Sequence, residues 1–432
     1  MPRAPLRDGV FRLLQPQVRT GLTRGLFLCA LLSLAGCGTL PRNAVPPALM
    51  GEAMIPGMPD VRAPAGRPNK VMADDLLRSF KQESASEFPM GPDGVIRYPH
   101  LALSGGGANG AFGAGFLNGW SNTGQRPVFK IVTGVSTGAL IAPFAFLGPE
   151  HDDALRQFFT TTASRNIFRV LSILPQLIAG ESFADTAPLR ALIEEHVTAE
   201  FLRQVAQAHE GGRRLYLGTV DLDSQHFMVW NMGLIATSGR PEALDLFRAV
   251  MLASASVPVA FPPVLFEVEA GGKRYDEMHV DGGVALRVFY SGGVFSFSTL
   301  RAEDVAGRGP GRETIFIIHN GQLPPVPEAT ARSVRSIAAR TFSSASKAAF
   351  VGDLFRIYGF ALREQADFQW VTIPDGFELA GDEIFDPVRM GKLYEVGYQK
   401  ALAGQQWALE PPGLARGRRT DAMGAEPASN SP

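Results

Sequence analysis

The sequence predicts an α/β protein of three layers, with a mostly parallel sheet between two helical faces. From Tyr98 onwards, short apolar runs alternate with longer helix-compatible stretches, the pattern of strands joined by helical crossovers. Glycine-rich turns also stand where a strand should hand over to a helix, at residues 105–110 and 134–138. About 300 residues are large but reasonable for one such domain.

Five strands are expected, around Leu101-Ala102-Leu103, Ile131-Val132, Leu215 to Val220, Ile315 to Ile318 and Gln369-Trp370-Val371. A helix should begin near Met72 and run through Leu76, Leu77 and Phe80. Seven prolines in residues 38–70 predict an extended tether. The polar, Pro/Gly/Ala-rich residues 411–432 predict a disordered tail. The apolar stretch Asn166 to Ile178 reads either as a core helix broken by Pro175 or as a groove or lid for an acyl chain.

The N-terminus has the order of a secretory signal. Five arginines (Arg3, Arg7, Arg12, Arg19, Arg24) precede the short apolar run Gly25 to Leu34, which ends in Leu34-Ala35-Gly36-Cys37. That run is far shorter than the roughly 20 residues a membrane span needs. A cysteine directly after Leu-Ala-Gly resembles the bacterial lipobox, which implies cleavage after residue 36 and acylation of Cys37. Gly38 rather than Asp follows, so the resemblance further implies a lipid-anchored envelope protein, at the outer membrane where the host has two. Ordinary secretion is the alternative, because small residues also mark common cleavage sites.

The whole chain carries a formal charge of −1, and loss of residues 1–36 removes five arginines and one aspartate. The mildly acidic remainder argues against a nucleic-acid partner, which would need clustered cations. With Cys29 removed and Cys37 acylated, neither of the two cysteines is left for a disulfide. No group of His, Cys, Asp and Glu has metal-ligand spacing, so neither a metal nor another cofactor is expected.

Three glycine motifs carry the chemistry. Gly134-Val135-Ser136-Thr137-Gly138 puts a serine on a strand-to-helix turn, where its Oγ is exposed and its neighbours must lack bulk. Gly105-Gly106-Gly107-Ala108-Asn109-Gly110 offers backbone N–H groups to an oxyanion, and Asp281-Gly282-Gly283 offers a carboxylate base. Gly105-x-Gly107-x-x-Gly110 also fits a dinucleotide fingerprint, but the next strand runs into Gly134 and Ser136 where that reading wants an acid.

These motifs, with Ala253-Ser254-Ala255-Ser256-Val257-Pro258-Val259-Ala260-Phe261-Pro262-Pro263 between the second and third, resemble the patatin-like phospholipase family over roughly residues 97–403 of a domain spanning 71–410. The resemblance implies a Ser136–Asp281 dyad that cleaves carboxylic esters of membrane lipids. It also implies an oxyanion held by N–H groups of Gly106, Gly107 and Ala108. The family usually carries Arg or Lys where this chain has Asn109, so a cation at that position is missing. Asp221 matches an acidic position that looks structural in the family. Two other readings stand beside the dyad. One is a catalytically silent lipid-binding scaffold; the other is a Ser136–Asp281–His319 triad, which the order Ser, acid, His allows. A strand-end histidine satisfied by its surroundings is the plainer account of His319. His279, two residues before Asp281, should share its strand face without acting as base.

Overall fold

The computed structural model describes residues 40–171, 180–303, 309–325, 327, 329–377, 385–404 and 407–414. Nearly all of these belong to one unit, Arg42–Leu171 with Glu181–Pro432. Its strands are β1 (Arg62–Pro64), β2 (Ile96–Leu103), β3 (Ile131–Val135), β4 (Arg169–Val170), β5 (Ala184–Asp185), β6 (Arg214–Asp221), β7 (His226–Asn231), β8 (Val264–Ala270), β9 (Lys273–Asp281), β10 (Gly311–His319) and β11 (Asp367–Thr372).

All five expected strands form, and they run side by side in the order β6-β3-β2-β10-β11, every neighbouring pair parallel. β7 and then β1 extend the β6 edge antiparallel. Alternate residues of the sheet feed opposite faces. Leu101, Leu103, Leu215 and Leu217 join the cluster that includes Phe112, Phe116 and Ile141. That cluster draws on helices Gly110–Asn122, Thr137–Leu147, Ala243–Ser254 and Pro387–Leu402. On the other face Tyr98, Val135 and Tyr216 pack with Met72, Leu76 and Phe80 of helix Lys70–Gln82. Beside them, Ile315 and Ile317 meet Phe350, Leu354 and Ile357 of helix Val334–Glu364. The sheet is therefore sandwiched as predicted.

The join between the parallel and antiparallel parts of the sheet fixes the site. β3 pairs with β6 only as far as Val135, which faces Gly218. From the next residue of β6, that flank belongs to β9, where Thr219 faces Asp281. A strand that leads into Ser136 and a strand that ends in Asp281 thus meet along one edge of β6.

Two expectations are corrected. Residues 42–70 do not run free as an extended tether. Val45, Ile55, Met58 and Val61 are buried in the core, Pro47–Glu52 forms a 3-10 turn, and β1 pairs with β7. Arg42 binds Asp223 at 2.6 Å and Asp276 at 2.7 Å. Proline disfavours helix, but it does not stop the apolar residues between prolines from docking on an open sheet edge. The apolar stretch from Asn166 does not continue as a core helix either. Helix Ser164–Ile167 gives way to the exposed strand β4, which pairs antiparallel with β5. Residues 172–179, including Pro175, lie outside the described residues, as do residues 1–39, with Cys37, and 415–432 of the expected tail.

Candidate active site

Ser136 follows the last residue of β3 and precedes helix Thr137–Leu147, as the sharp turn requires. Its backbone is left-handed, with φ 57° and ψ −127°, a conformation uncommon outside glycine and frequent at functional turns. The two elbow glycines are needed for space. A Cβ on Gly134 would lie 2.4 Å from the Gly138 carbonyl oxygen, and one on Gly138 would lie 2.4 Å from that of Leu103. The Ser136 N–H donates to Ser254 Oγ (3.0 Å), whose own hydroxyl donates to the Gly218 carbonyl (2.6 Å). Ser254 therefore fastens the strained turn to the strand beside it.

Asp281 is only 4% exposed and Ser136 only 8%. Burial pushes the Asp281 carboxyl up to about 6, opposed by the neighbouring Ser136 side chain, by the Gly283 N–H and by the nearby charge of Arg287. The Gly283 N–H lies 2.7 Å from Oδ1. The Asp281 N–H donates to the Ser256 carbonyl at 2.9 Å. One segment, Ser254 to Ser256, thereby ties both members of the pair. Gly282 is packed too tightly for a side chain, since its Cβ would sit 2.5 Å from the Gly218 carbonyl oxygen.

The loop of residues 105–110 lies against the serine. A Cβ on Gly105 would be 3.0 Å from that of Ser136, and one on Gly110 would be 2.4 Å from Thr137 Oγ1. The Gly105 N–H is committed to the Arg287 carbonyl (3.1 Å). The N–H groups of Gly106, Gly107 and Ala108 open the turn Gly107–Asn109, which leads into helix Gly110–Asn122, so no earlier helical carbonyl claims them. Positive potential at a helix start favours an anion there. Asn109, half-buried, makes no side-chain cap on that helix.

Three residues at the site escaped the sequence reading or were given no role. Ser254 lay within a quoted block, but only through-space pairing shows what its hydroxyl does. Asn320 follows β10 and braces the loop: its Oδ1 accepts from the Gly113 N–H (3.0 Å), and its Nδ2 donates to the Ser104 carbonyl (2.9 Å). Its own carbonyl oxygen would be 2.1 Å from a Cβ on Gly106. Arg287 supplies a cation near Asp281, and no local motif marks it.

His319 and His279 are occupied elsewhere. His319 Nδ1 faces Ser104 Oγ at 3.1 Å, and the ring stacks on Phe350 with centroids 3.4 Å apart. Burial, with Lys347 and Arg287 nearby, pushes it down to about 3. A histidine so held is neutral at neutral pH and carries no hydrogen bond to Ser136 among those described. His279 is buried between Thr219 Oγ1 (2.8 Å) and Glu277 (3.2 Å), on the expected face and apart from the chemistry. Asp221 accepts from the Asp223 N–H (3.1 Å) and the Ser224 hydroxyl, closing the turn after β6.

Residues 101–290 match a family model described as patatin-like phospholipase, an interval that holds the glycine loop, the elbow and Asp281-Gly282-Gly283. No curated protein matches the chain. Among solved structures it is similar to VipD from Legionella pneumophila, at 12% identity over 73% of this chain and 69% of that one, with a TM-score of 0.31. It is also similar to human GIVD cytosolic phospholipase A2 (10% identity, 73% of this chain, 55% of that one, TM-score 0.31). A third is the type III effector ExoU (13% identity, 71% and 53%, TM-score 0.21). The match spans little more than half the length of the last two proteins.

Proposed function

Because residues 101–290 match the patatin-like phospholipase model, we propose that the chain is a serine acyl hydrolase cleaving carboxylic esters of membrane lipids through a Ser136–Asp281 dyad. One observation carries this reading: a serine on a strained turn stands beside a buried carboxyl whose affinity for a proton is raised. An ordinary aspartate is too weak a base for a serine hydroxyl, and desolvation narrows that gap.

In the proposed sequence, Ser136 Oγ attacks the ester carbonyl carbon while its proton passes to Asp281. The N–H groups of Gly106, Gly107 and Ala108 hold the resulting oxyanion. Collapse expels the alcohol, which takes the proton from Asp281 and leaves an acyl group on Ser136. Asp281 then draws a proton from water, whose oxygen attacks the acyl carbon; the fatty acid is released as Ser136 Oγ departs and takes that proton back from Asp281.

A fluorophosphonate probe tests the reading against a silent lipid-binding scaffold. It should label the native chain on Ser136 and leave Ser136→Ala unlabelled. An unlabelled native chain, folded by circular dichroism, would favour the scaffold.

We also propose that Cys37 is acylated and anchors the chain to the cell envelope. The support is sequence alone, the short apolar run ending in Leu34-Ala35-Gly36-Cys37. Among the described residues no helix is long and apolar enough to cross a membrane. A clickable fatty acid should enter the native protein and not Cys37→Ala. A mature N-terminus beyond Cys37, without lipid, would remove the anchor and leave the hydrolase reading intact.

A further inference from the structure

Arg287 stands where the two halves of the candidate site join. Its carbonyl oxygen accepts the Gly105 N–H (3.1 Å) at the start of the glycine loop, and its own N–H donates to Asp353 at 2.6 Å. Both ties are made by backbone, so they do not depend on the side chain. That side chain reaches the turn after Asp281. A Cβ on Gly283 would lie 2.9 Å from Asp281 Oδ1 and 3.2 Å from Arg287 Nη1. With glycine there, the space between carboxyl and guanidinium is left unfilled. Val284 and Ala285, next along the chain, are exposed, so solvent reaches this turn.

The guanidinium is half-buried and has no anion in contact with it. It donates to Ser346 Oγ and lies 5.2 Å from the Phe342 ring centroid. Asp281 and Asp353 act on its charge through space, and among the described residues no carboxylate forms an ion pair with it. Its Nε is buried without a hydrogen-bond partner. A charge withdrawn from water is ordinarily repaid by a counter-charge, and this one is not. Its planar fork of donors matches the oxygens of a phosphate. Residues 104–110 of the neighbouring loop supply no cation.

We propose that Arg287 binds the phosphodiester of the substrate's head group, so that the site selects glycerophospholipid esters over neutral glycerides. In such a lipid only a few bonds separate the scissile ester from phosphorus. The Asp281 carboxylate would repel that anion unless a cation stood beside it. The proposal rests on the lipid-ester reading and names which lipid, and one arm of its test needs no turnover.

The full chain is used throughout with Cys37→Ser, so that no acyl group contributes. Hydrolysis is compared on dihexanoyl phosphatidylglycerol and dihexanoylglycerol, both as monomers, at about pH 9, where Asp281 is ionised with or without its neighbour. Arg287→Ala should lower kcat/KM for the phospholipid about 10- to 100-fold more than for the glyceride, mainly through KM. Arg287→Lys should recover part of that difference. Where Arg287→Ala does not fold, Arg287→Gln carries the same comparison. In the Ser136→Ala chain, calorimetry with the diether analogue of the phospholipid should show a loss of affinity of the same size on Arg287→Ala. Equal losses on both esters, or ether-lipid binding undiminished by Arg287→Ala, overturn the proposal and leave Arg287 as a neighbour of Asp281 alone. Inorganic phosphate bound as tightly as the ether lipid overturns it in favour of a site for the free anion. Ether-lipid binding that depends on Arg287, in a chain that hydrolyses no ester, upholds the phosphodiester site and sinks the hydrolase reading instead.

Discussion

Replacing Asp281 by Asn should abolish ester hydrolysis and make the protein more stable. Asn retains an oxygen to accept the Gly283 N–H and removes a charge from a site only 4% exposed. The folded carboxyl is raised from the usual 3.8 to about 6. Above pH 6 the aspartate is ionised in both folded and unfolded chains, and the folded state bears the full cost of the buried charge. Two pH units of difference correspond to about 3 kcal/mol. Below pH 4 both states are protonated and the cost is gone. The Asn variant should therefore be stabilised by up to about 3 kcal/mol at pH 8, or about 4 °C in Tm for a domain of this size. The gain should shrink between pH 6 and 4 and vanish below. Thermal melts at pH 8 and pH 4 measure it, alongside turnover of a soluble ester, which should fall by at least about a thousandfold. A variant no more stable at pH 8 would show that the carboxyl is not held against its charge. A variant that still turns over would remove Asp281 from the chemistry.

Further outcomes follow from the same geometry. His319→Ala should cost about 1–3 kcal/mol in denaturant unfolding through the lost Phe350 stack, yet leave kcat within roughly tenfold; a loss equal to that of Ser136→Ala in a folded protein would restore the triad. Gly106→Ala should lower turnover about 100- to 1000-fold, because its Cβ meets the Asn320 carbonyl oxygen and displaces the loop. Gly107→Ala meets open space and only the strain of φ +58°, so it should cost about 1 kcal/mol of stability and less activity. Arg287→Ala removes a charge that lowers the Asp281 carboxyl, so the acid limb of the kcat/KM profile should move from near pH 6 to higher pH, and Arg287→Lys should restore most of the shift. An acid limb that stays in place would take Arg287 out of the electrostatics.

The five central strands were legible because each is buried and reads as a short apolar run. β9, whose sequence is Lys-Arg-Tyr-Asp-Glu-Met-His-Val-Asp, hides from such a search: its outer half is exposed and its partners are set by distant chain. Ser136 and Asp281 were readable because glycine neighbours are a local demand of a tight turn. Their meeting was inferred from the company of the motifs. The exchange of β3 for β9 beside Gly218 supplies its physical cause. Ser254, Asn320 and Arg287 act across large sequence separations, and no period or spacing in one sequence encodes such contacts. The region before Met72 was misread for a related reason: composition reports that it is extended, and only the partner edge decides whether it docks.

That docked segment changes what an anchor at Cys37 would do. Only five residue steps separate Cys37 from Arg42, whose guanidinium is clamped between Asp223 and Asp276. Fully extended, they span about 18 Å, whereas a free tether to residue 70 would reach about 100 Å. A leash this short gives the body little of the hemisphere a long one would let it sweep. Such an anchor would raise the effective concentration of the proposed hydrolase at its own bilayer and remove reach toward any other. Lengthening the leash with flexible residues between Cys37 and Arg42 should therefore slow turnover of the host membrane and leave soluble esters untouched.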